Sequence, residues 1–330
     1  MTSTVARLSR RAAFTHLRHV APVPTATAPT PVRRVYEQVE RDFGLLAPPI
    51  ALHAAAPGLL AAAWCILRET LLVTGTTSRR ERESVAAAVS AANSCPYCVD
   101  VHQAAVRGLG GGGNAPTALP AVLSPELIGV AVDFHYLNRM VNVFLRDSPL
   151  AVVPAALLGG ARGAAARLMG LLAAREAVPG QSLPLLPDTV AAARRLPDDL
   201  RWAADLPHVA AAMTGAAAVV EDAGRRSVPA AVRQLVRECL HDGTAAPDDL
   251  TQAARWLDAR LAGLSPTDRP SGRLAMLVAF ASYRVPDSAV AAVQAGGHGD
   301  AELLGLAAWA ALTAARRHGD VLARAYEAAG

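Results

Sequence analysis

The sequence predicts an all-α fold, and three observations carry that prediction. Hydrophobic residues make up 52% of the chain while aromatic residues supply only 4%. A core must therefore be built from Ala, Leu and Val, and alanine favours helix at little entropic cost. Pro and Gly break the apolar runs repeatedly, which is the pattern of many short helices. Few stretches alternate apolar and polar residues, and β-branched and aromatic residues are too sparse for a sheet.

Residues 1–30, ending in the Pro/Thr/Ala run from Ala21, read as a flexible N-terminal segment. A helix follows from about Val32 to Phe43, then a turn around Pro48 and Pro49. Leu59 to Val73 forms a helix with Trp64, Leu67 and Leu71 at core spacing. Thr74 to Ser78 is a polar break. Thr77 or Ser78 caps the next helix, Arg79 to Ala92, with Glu81 as the capping-box partner of Ser78. Asn93 and Ser94 interrupt it. Ser94 is the natural N-cap for a helix starting at Cys95, with Pro96 tolerated in its first turn.

That helix reaches about Arg107 and stops in the glycine-rich run 108–113. Ser124-Pro125-Glu126 opens another helix, through Phe134, Tyr136, Met140 and Phe144. Residues 176–200 read as a connection. Further helices are expected near 201–222, 228–240, 248–262, 270–283, 287–295 and 300–327.

A weak internal repeat divides the chain into two related helical units, 31–175 and 201–330. Val85–Ala91 echoes Ala275–Ala281, Pro96 aligns with Pro286, and Pro125–Ala131 echoes Ala301–Ala307. Where the first unit has Glu83, Cys95, Cys98 and His102, the second has Arg273, Val285, Ser288 and Ala292. The second unit therefore reads as degenerate, keeping the shape without the chemistry.

Composition excludes several function classes. The net charge is a modest +4. The basic N-terminal segment, with Arg7, Arg10, Arg11 and Arg18, lacks the aromatic interleaving of a base-stacking surface, so no nucleic-acid partner is expected. The most apolar long stretch, Ala151 to Ala174, is interrupted by Arg162 and Arg167, so no membrane span is expected. No export signal is evident, and four cysteines are too few for a disulfide framework; both point to a cytoplasmic protein. The run Gly108–Gly113 lacks the lysine and strand–helix context of a phosphate loop, and no cofactor is implied. Cys65 and Cys239 read as buried small hydrophobes.

The chemistry lies in Ser94-Cys95-Pro96-Tyr97-Cys98-Val99-Asp100-Val101-His102. The pair sits at a predicted helix start, where unpaired N–H groups and the helix dipole stabilise a thiolate. A two-residue spacer lets the sulfurs meet in a disulfide. His102 follows Cys98 by one helical turn, on the same face, where it can move the thiol proton. This makes Cys98 the better nucleophile and Cys95 the resolving thiol. Glu83 or Glu81, on the preceding helix, can orient His102 or accept a proton. Other readings stay open: a protein thiol–disulfide exchange partner or redox sensor with little peroxide chemistry, a non-catalytic helical scaffold with three or four ligands of a structural zinc site, an inert cysteine pair, or His102 as a core histidine. Tyr97 and His135 are candidate pocket residues, with plain packing as the alternative for each.

These residues resemble the alkylhydroperoxidase AhpD-like and carboxymuconolactone decarboxylase superfamily. Its redox-active members place a glutamate twelve residues before a C-x-x-C-x-x-x-H segment, as Glu83 stands before Cys95 here. The resemblance selects Glu83 over Glu81. It implies an all-helical AhpD-like fold, often oligomeric, and hence a homo-oligomer. It also implies a peroxidase, an antioxidant oxidoreductase, in which Cys98 meets a small hydroperoxide and Cys95 resolves. Glu83 and His102 then form the proton relay, and a lipoyl or thioredoxin-like dithiol is the reductant. One departure stands out: Tyr97 occupies the position where the family's namesake has a histidine between the cysteines. The decarboxylase branch lacks the cysteine pair, which argues against lactone decarboxylation.

Overall fold

The computed structural model describes residues 10, 11, 13–110, 115–146, 158–173, 175, 177–188, 195–243 and 245–330. The chain runs through α1 (Thr30–Asp42), the short α2 (Pro48–Ala51), α3 (Pro57–Leu67), α4 (Arg79–Ala92), α5 (Pro96–Gly108), α6 (Pro125–Phe144) and α7 (Leu158–Ala173). It continues through α8 (Pro207–Ser227), α9 (Ala230–His241), α10 (Leu250–Leu261), α11 (Arg269–Ala281), α12 (Asp287–Ala295) and α13 (Asp300–Ala329). Among the described residues the β pairing amounts to isolated bridges, Leu17–Leu145 and Val73–Ala177. The all-α expectation therefore holds. No described helix is long and apolar enough to cross a membrane.

Proline sets many of the helix starts, because its missing N–H falls where no intrahelical acceptor exists. It stands in the first turn of α1, α2, α3, α5, α6, α8 and α11. The start of α4 is instead held by the expected capping box between Ser78 and Glu81. One expected helix departs from its prediction: Leu59–Val73 is α-helical only to Leu67, then widens to a π-turn over Arg68–Leu72. Arg68 and Glu69 are both buried in that turn. Arg68 pairs with Asp42 at 2.7 Å, and Glu69 accepts from Gly180 N at 2.8 Å and Ser182 Oγ at 2.6 Å. Satisfying these buried charges accompanies the local widening.

The first and second halves are not separated by solvent. Helices α4–α6 pack together, α11–α13 pack in the same order, and the two sets meet along α6 and α13. Small residues allow the approach. A Cβ added at Gly319 of α13 would lie 2.5 Å from Val132 of α6. On the other side, α7 lies across α5.

Of the expected flexible segment 1–30, residues 1–9 and 12 lie outside the described residues, and the rest mixes exposed positions such as Ala21 and Pro22 with buried ones. Ala13, Leu17 and Val20 are buried. Arg18 donates to the carbonyls of Asn142 and Val143 at 2.7 and 2.9 Å, and its backbone N–H to Phe144 at 2.9 Å. These are the carbonyls that a helix C-terminus leaves without intrahelical partners, and a cation there also meets the negative end of the dipole.

Candidate active site

The site is built on the turn between α4 and α5. Ser94 N–H reaches Ala91 O and Cys95 N–H reaches Ser90 O, each at 3.0 Å. This is the Schellman pattern, which requires a left-handed residue after the helix. Ser94 takes that role with φ of 49°. Ser94 is therefore not the N-cap of α5, as its sequence position suggested. Cys95 is the N-cap, and the helix begins at Pro96. The short connection leaves room for one left-handed residue and one cap, and Cys95 takes the second place.

Cys98 lies in the first turn of α5, and both thiols are free and buried, Cys95 at 1% and Cys98 at 3% exposure. The expectation that the helix start stabilises a thiolate is outweighed here. Burial pushes the Cys98 thiol well above its ordinary range, and contact with Cys95 and the nearby Asp133 carboxyl add to this. The resting Cys98 is thus a thiol, and it needs a base.

Cys98, Tyr97 and His102 line one cavity of about 160 Å³. Its other walls are apolar and include Phe43 of the α1–α2 connection, Leu71 of the π-turn, Phe134 of α6 and Met169 of α7. The imidazole of His102 packs edge-on against Phe134, with centroids 4.4 Å apart. Behind it, His102 Nδ1 lies 2.6 Å from Glu83 Oε2. The other carboxylate oxygen of Glu83 accepts from Arg79, at 2.8 Å from Nε and 2.7 Å from Nη2. Burial alone would raise the Glu83 pKa, but the charges and hydrogen bonds of Arg79 and His102 prevail and bring it down to about 2. Glu83 is therefore an anion in the interior, and His102 receives a fixed tautomer from it.

The two competing acids separate cleanly. Glu81 is exposed and occupied in the capping box, while Glu83 is buried against His102. Tyr97 lines the cavity, and its ring meets that of His16 edge-on with centroids 6.1 Å apart. His135 does not line it. Its ring stacks on His318 of α13 at 4.1 Å and 7°, and its Nδ1 accepts from Asn93 Nδ2 at 3.0 Å. The neighbours of His135 on α6, Phe134 and Leu137, face the cavity instead.

Two residues were missed from the sequence. Arg79 was read only as a helix start, although its i,i+4 spacing to Glu83 was visible. Asp133 is fully buried, neither of its carboxyl oxygens has a hydrogen-bond partner, and burial pushes its pKa well above the ordinary range. Its sequence signal was an acid inside the apolar run Ile128–Phe134. Among the described residues no three His, Cys, Asp or Glu side chains converge as metal ligands. Cys65 and Cys239 are buried elsewhere, Cys65 donating to Ser182 O at 3.1 Å.

Fold and site together define a helical protein with a buried Cys-x-x-Cys pair at a helix start, backed by an imidazole–carboxylate pair. Residues 58–113 match the carboxymuconolactone decarboxylase family. A curated Mycobacterium tuberculosis protein named as an alkyl hydroperoxide reductase is 34% identical over 348 aligned positions, which cover 94% of this chain and 96% of that protein. No solved structure matches the chain. The chain belongs to the AhpD-like carboxymuconolactone decarboxylase superfamily.

Proposed function

We propose that this protein is a thiol-dependent peroxidase that reduces organic hydroperoxides through Cys95 and Cys98. One observation carries the reading: Cys98 and His102 line the same apolar cavity, while Glu83 holds His102 from behind. The name of the mycobacterial relative supports it.

In this reading His102 takes the Cys98 proton, and the thiolate attacks the distal oxygen of the hydroperoxide. The O–O bond breaks, the leaving alkoxide takes a proton from His102, and Cys98 becomes a sulfenic acid. The Cys95 thiol then attacks that sulfur, releasing water and forming the Cys95–Cys98 disulfide. An external dithiol reduces the disulfide by exchange and is itself oxidised. Burial of both thiols favours a slender reductant, such as a lipoyl group, over a broad protein surface. It also disfavours direct exchange with a folded protein disulfide.

The division into an active first unit and a degenerate second one belongs to the same proposal. Its support is the common helix order of α4–α6 and α11–α13, with Val285, Ser288 and Ala292 standing where Cys95, Cys98 and His102 stand.

The test is hydroperoxide consumption in the presence of dihydrolipoamide. Cys98→Ser is expected to abolish turnover. Cys95→Ser is expected to allow a single oxidation of Cys98, trapped by a sulfenic-acid reagent. Full turnover by the Cys98 variant overturns the assignment.

A further inference from the structure

The α6 residues His135, Asn138, Arg139 and Asn142 form a polar stripe along one face of an otherwise apolar helix, at spacings of three and four. All of them lie outside the thiol cavity. On one side the stripe holds the turn that ends in Cys95. Asn142 Nδ2 donates to Asn93 O at 3.0 Å. Asn93 Nδ2 donates to His135 Nδ1 at 3.0 Å. Ser90 Oγ lies 3.2 Å from Asn138 Oδ1, and the Ser90 carbonyl is the acceptor for Cys95 N–H.

On its other side the stripe is held by the second half of the chain. The second Asn142 Nδ2 hydrogen reaches Ser282 Oγ at 3.0 Å. Arg139 donates through Nε to Ala279 O at 3.2 Å and through Nη2 to His318 Nε2 at 3.1 Å. His318 in turn stacks on His135. Two short chains of contacts therefore connect the second half to the residues flanking Cys95. One runs Ser282–Asn142–Asn93, the other His318–His135–Asn93.

The turn they reach requires such support. Ser94 carries a side chain in a left-handed conformation that glycine adopts more readily, and such a residue persists only where its surroundings over-determine it. The direction of the Cys95 side chain follows from this turn, and disulfide closure tolerates little error in sulfur position.

We infer that the second half of the chain positions the resolving thiol: Ser282 and His318, acting through Asn142 and His135, set the Asn93–Ser94 turn and with it the readiness of Cys95 to close on Cys98. Ser282 and His318 are positioning residues, since neither lines the cavity. The inference rests on the reading of Cys95 and Cys98 as a redox pair. It gives the half without the Cys-x-x-Cys pair a task in the cycle.

The test separates the two thiols. Full-length wild type, Ser282→Ala and Ser282→Thr are equilibrated in mixtures of reduced and oxidised dithiothreitol, and the Cys95–Cys98 disulfide fraction is measured. Separately, stopped-flow oxidation with tert-butyl hydroperoxide resolves attack at Cys98 from the later closure by Cys95. Loss of the partly buried Asn142–Ser282 hydrogen bond is expected to shift the dithiothreitol equilibrium of Ser282→Ala toward the dithiol by about tenfold, and to slow closure by a similar factor. Attack at Cys98 should stay within about twofold of wild type, since the cavity residues are untouched. Ser282→Thr, which keeps the hydroxyl, should restore both values.

His318→Gln provides an independent arm, because it removes the ring stack without touching Asn142; it should slow closure in the same selective way. Unchanged closure in both Ser282→Ala and His318→Gln overturns the inference, as does an equal loss of attack and closure. A wild-type protein that forms no disulfide even against oxidised dithiothreitol would instead defeat the underlying redox reading.

Discussion

Glu83 and His102 come from different helices, nineteen residues apart, and share a 2.6 Å hydrogen bond in the protein interior. Arg79 completes the pairing from one turn before Glu83. A buried carboxylate is tolerated here because both its oxygens are matched by cationic or N–H donors. Removing the carboxylate charge leaves the largely buried Arg79 side chain, 11% exposed, without a counter-ion. Glu83→Gln is therefore expected to lower stability by about 3–5 kcal/mol, read from urea unfolding at pH 7. The pH dependence has a definite sign. The Glu83 pKa is depressed on folding, so ionised Glu83 stabilises the fold fully above its ordinary value near 4.3, and that contribution is lost as pH falls toward about 2. The Gln variant should lack this acid-limb loss. An identical acid limb in both proteins would show that Glu83 is not the ionised partner.

Asp133 behaves in the opposite sense. Both its oxygens lack hydrogen-bond partners, and the nearby Thr70 hydroxyl is donated to Ile66 O at 2.9 Å. Burial favours the neutral acid and raises its pKa well above the ordinary range. The carboxyl is therefore least costly below the ordinary value near 3.9, and stability is lost as pH rises toward the folded-state pKa. Asp133→Asn cannot ionise. It should gain about 1–3 kcal/mol over wild type at pH 8 and little at pH 4.5, measured by thermal unfolding at the two pH values. A variant less stable than wild type at pH 8 would mean that the carboxylate is satisfied there.

Much of this arrangement was legible in the chain, for reasons that differ from residue to residue. Ser78 and Glu81 are three apart before an apolar run, and that local spacing specifies a capping box without any tertiary information. Cys98 and His102 share a face because helical period alone places them there. The Glu83–His102 contact was not fixed by either helix, since it depends on how α4 and α5 fold back on each other; the residues left Glu81 and Glu83 both open, and only the family spacing selected Glu83. His135 was misplaced for the same reason. Period separates its face from that of Phe134, but does not say that the cavity lies on one side and His318 on the other. Ser94 was misread because serine suits an N-cap, and the local pattern did not reveal that the preceding helix needed a left-handed residue at that position. The packing of Leu17 and Val20 was hidden because a strap held by Arg18 against helix-end carbonyls has no periodicity to detect.

The cavity makes a prediction about substrate size. Val101 lines it one residue before His102, and is only partly buried. Val101→Phe fills part of the cavity without touching Cys98. For the proposed reaction, the rate with cumene hydroperoxide should fall by about 10–200-fold while that with hydrogen peroxide changes little, the size of discrimination that added apolar bulk provides. Steady-state kcat/KM for the two peroxides measures this. An equal fall for both would place the peroxide path elsewhere.

The crossing of α5 and α7 depends on two glycines. A Cβ at Gly170 would lie 2.5 Å from Gly108 O, and one at Gly108 would lie 2.0 Å from Ala166 O. Both obstacles are backbone, so no rotamer change relieves them, and the helices must move apart. Met169, beside Gly170, lines the thiol cavity, so separation of the helices also opens its wall. Gly170→Ala is expected to cost about 1–3 kcal/mol and to speed alkylation of Cys98 by N-ethylmaleimide. Gly163 lies on the same helix with nothing within 4 Å of an added Cβ. There Gly163→Ala should stabilise by about 1 kcal/mol through helix propensity alone and leave Cys98 alkylation unchanged. Opposite signs for the same substitution, seven residues apart on one helix, distinguish close crossing from a general effect of alanine; matching signs would show that α7 does not bear on α5 at Gly170.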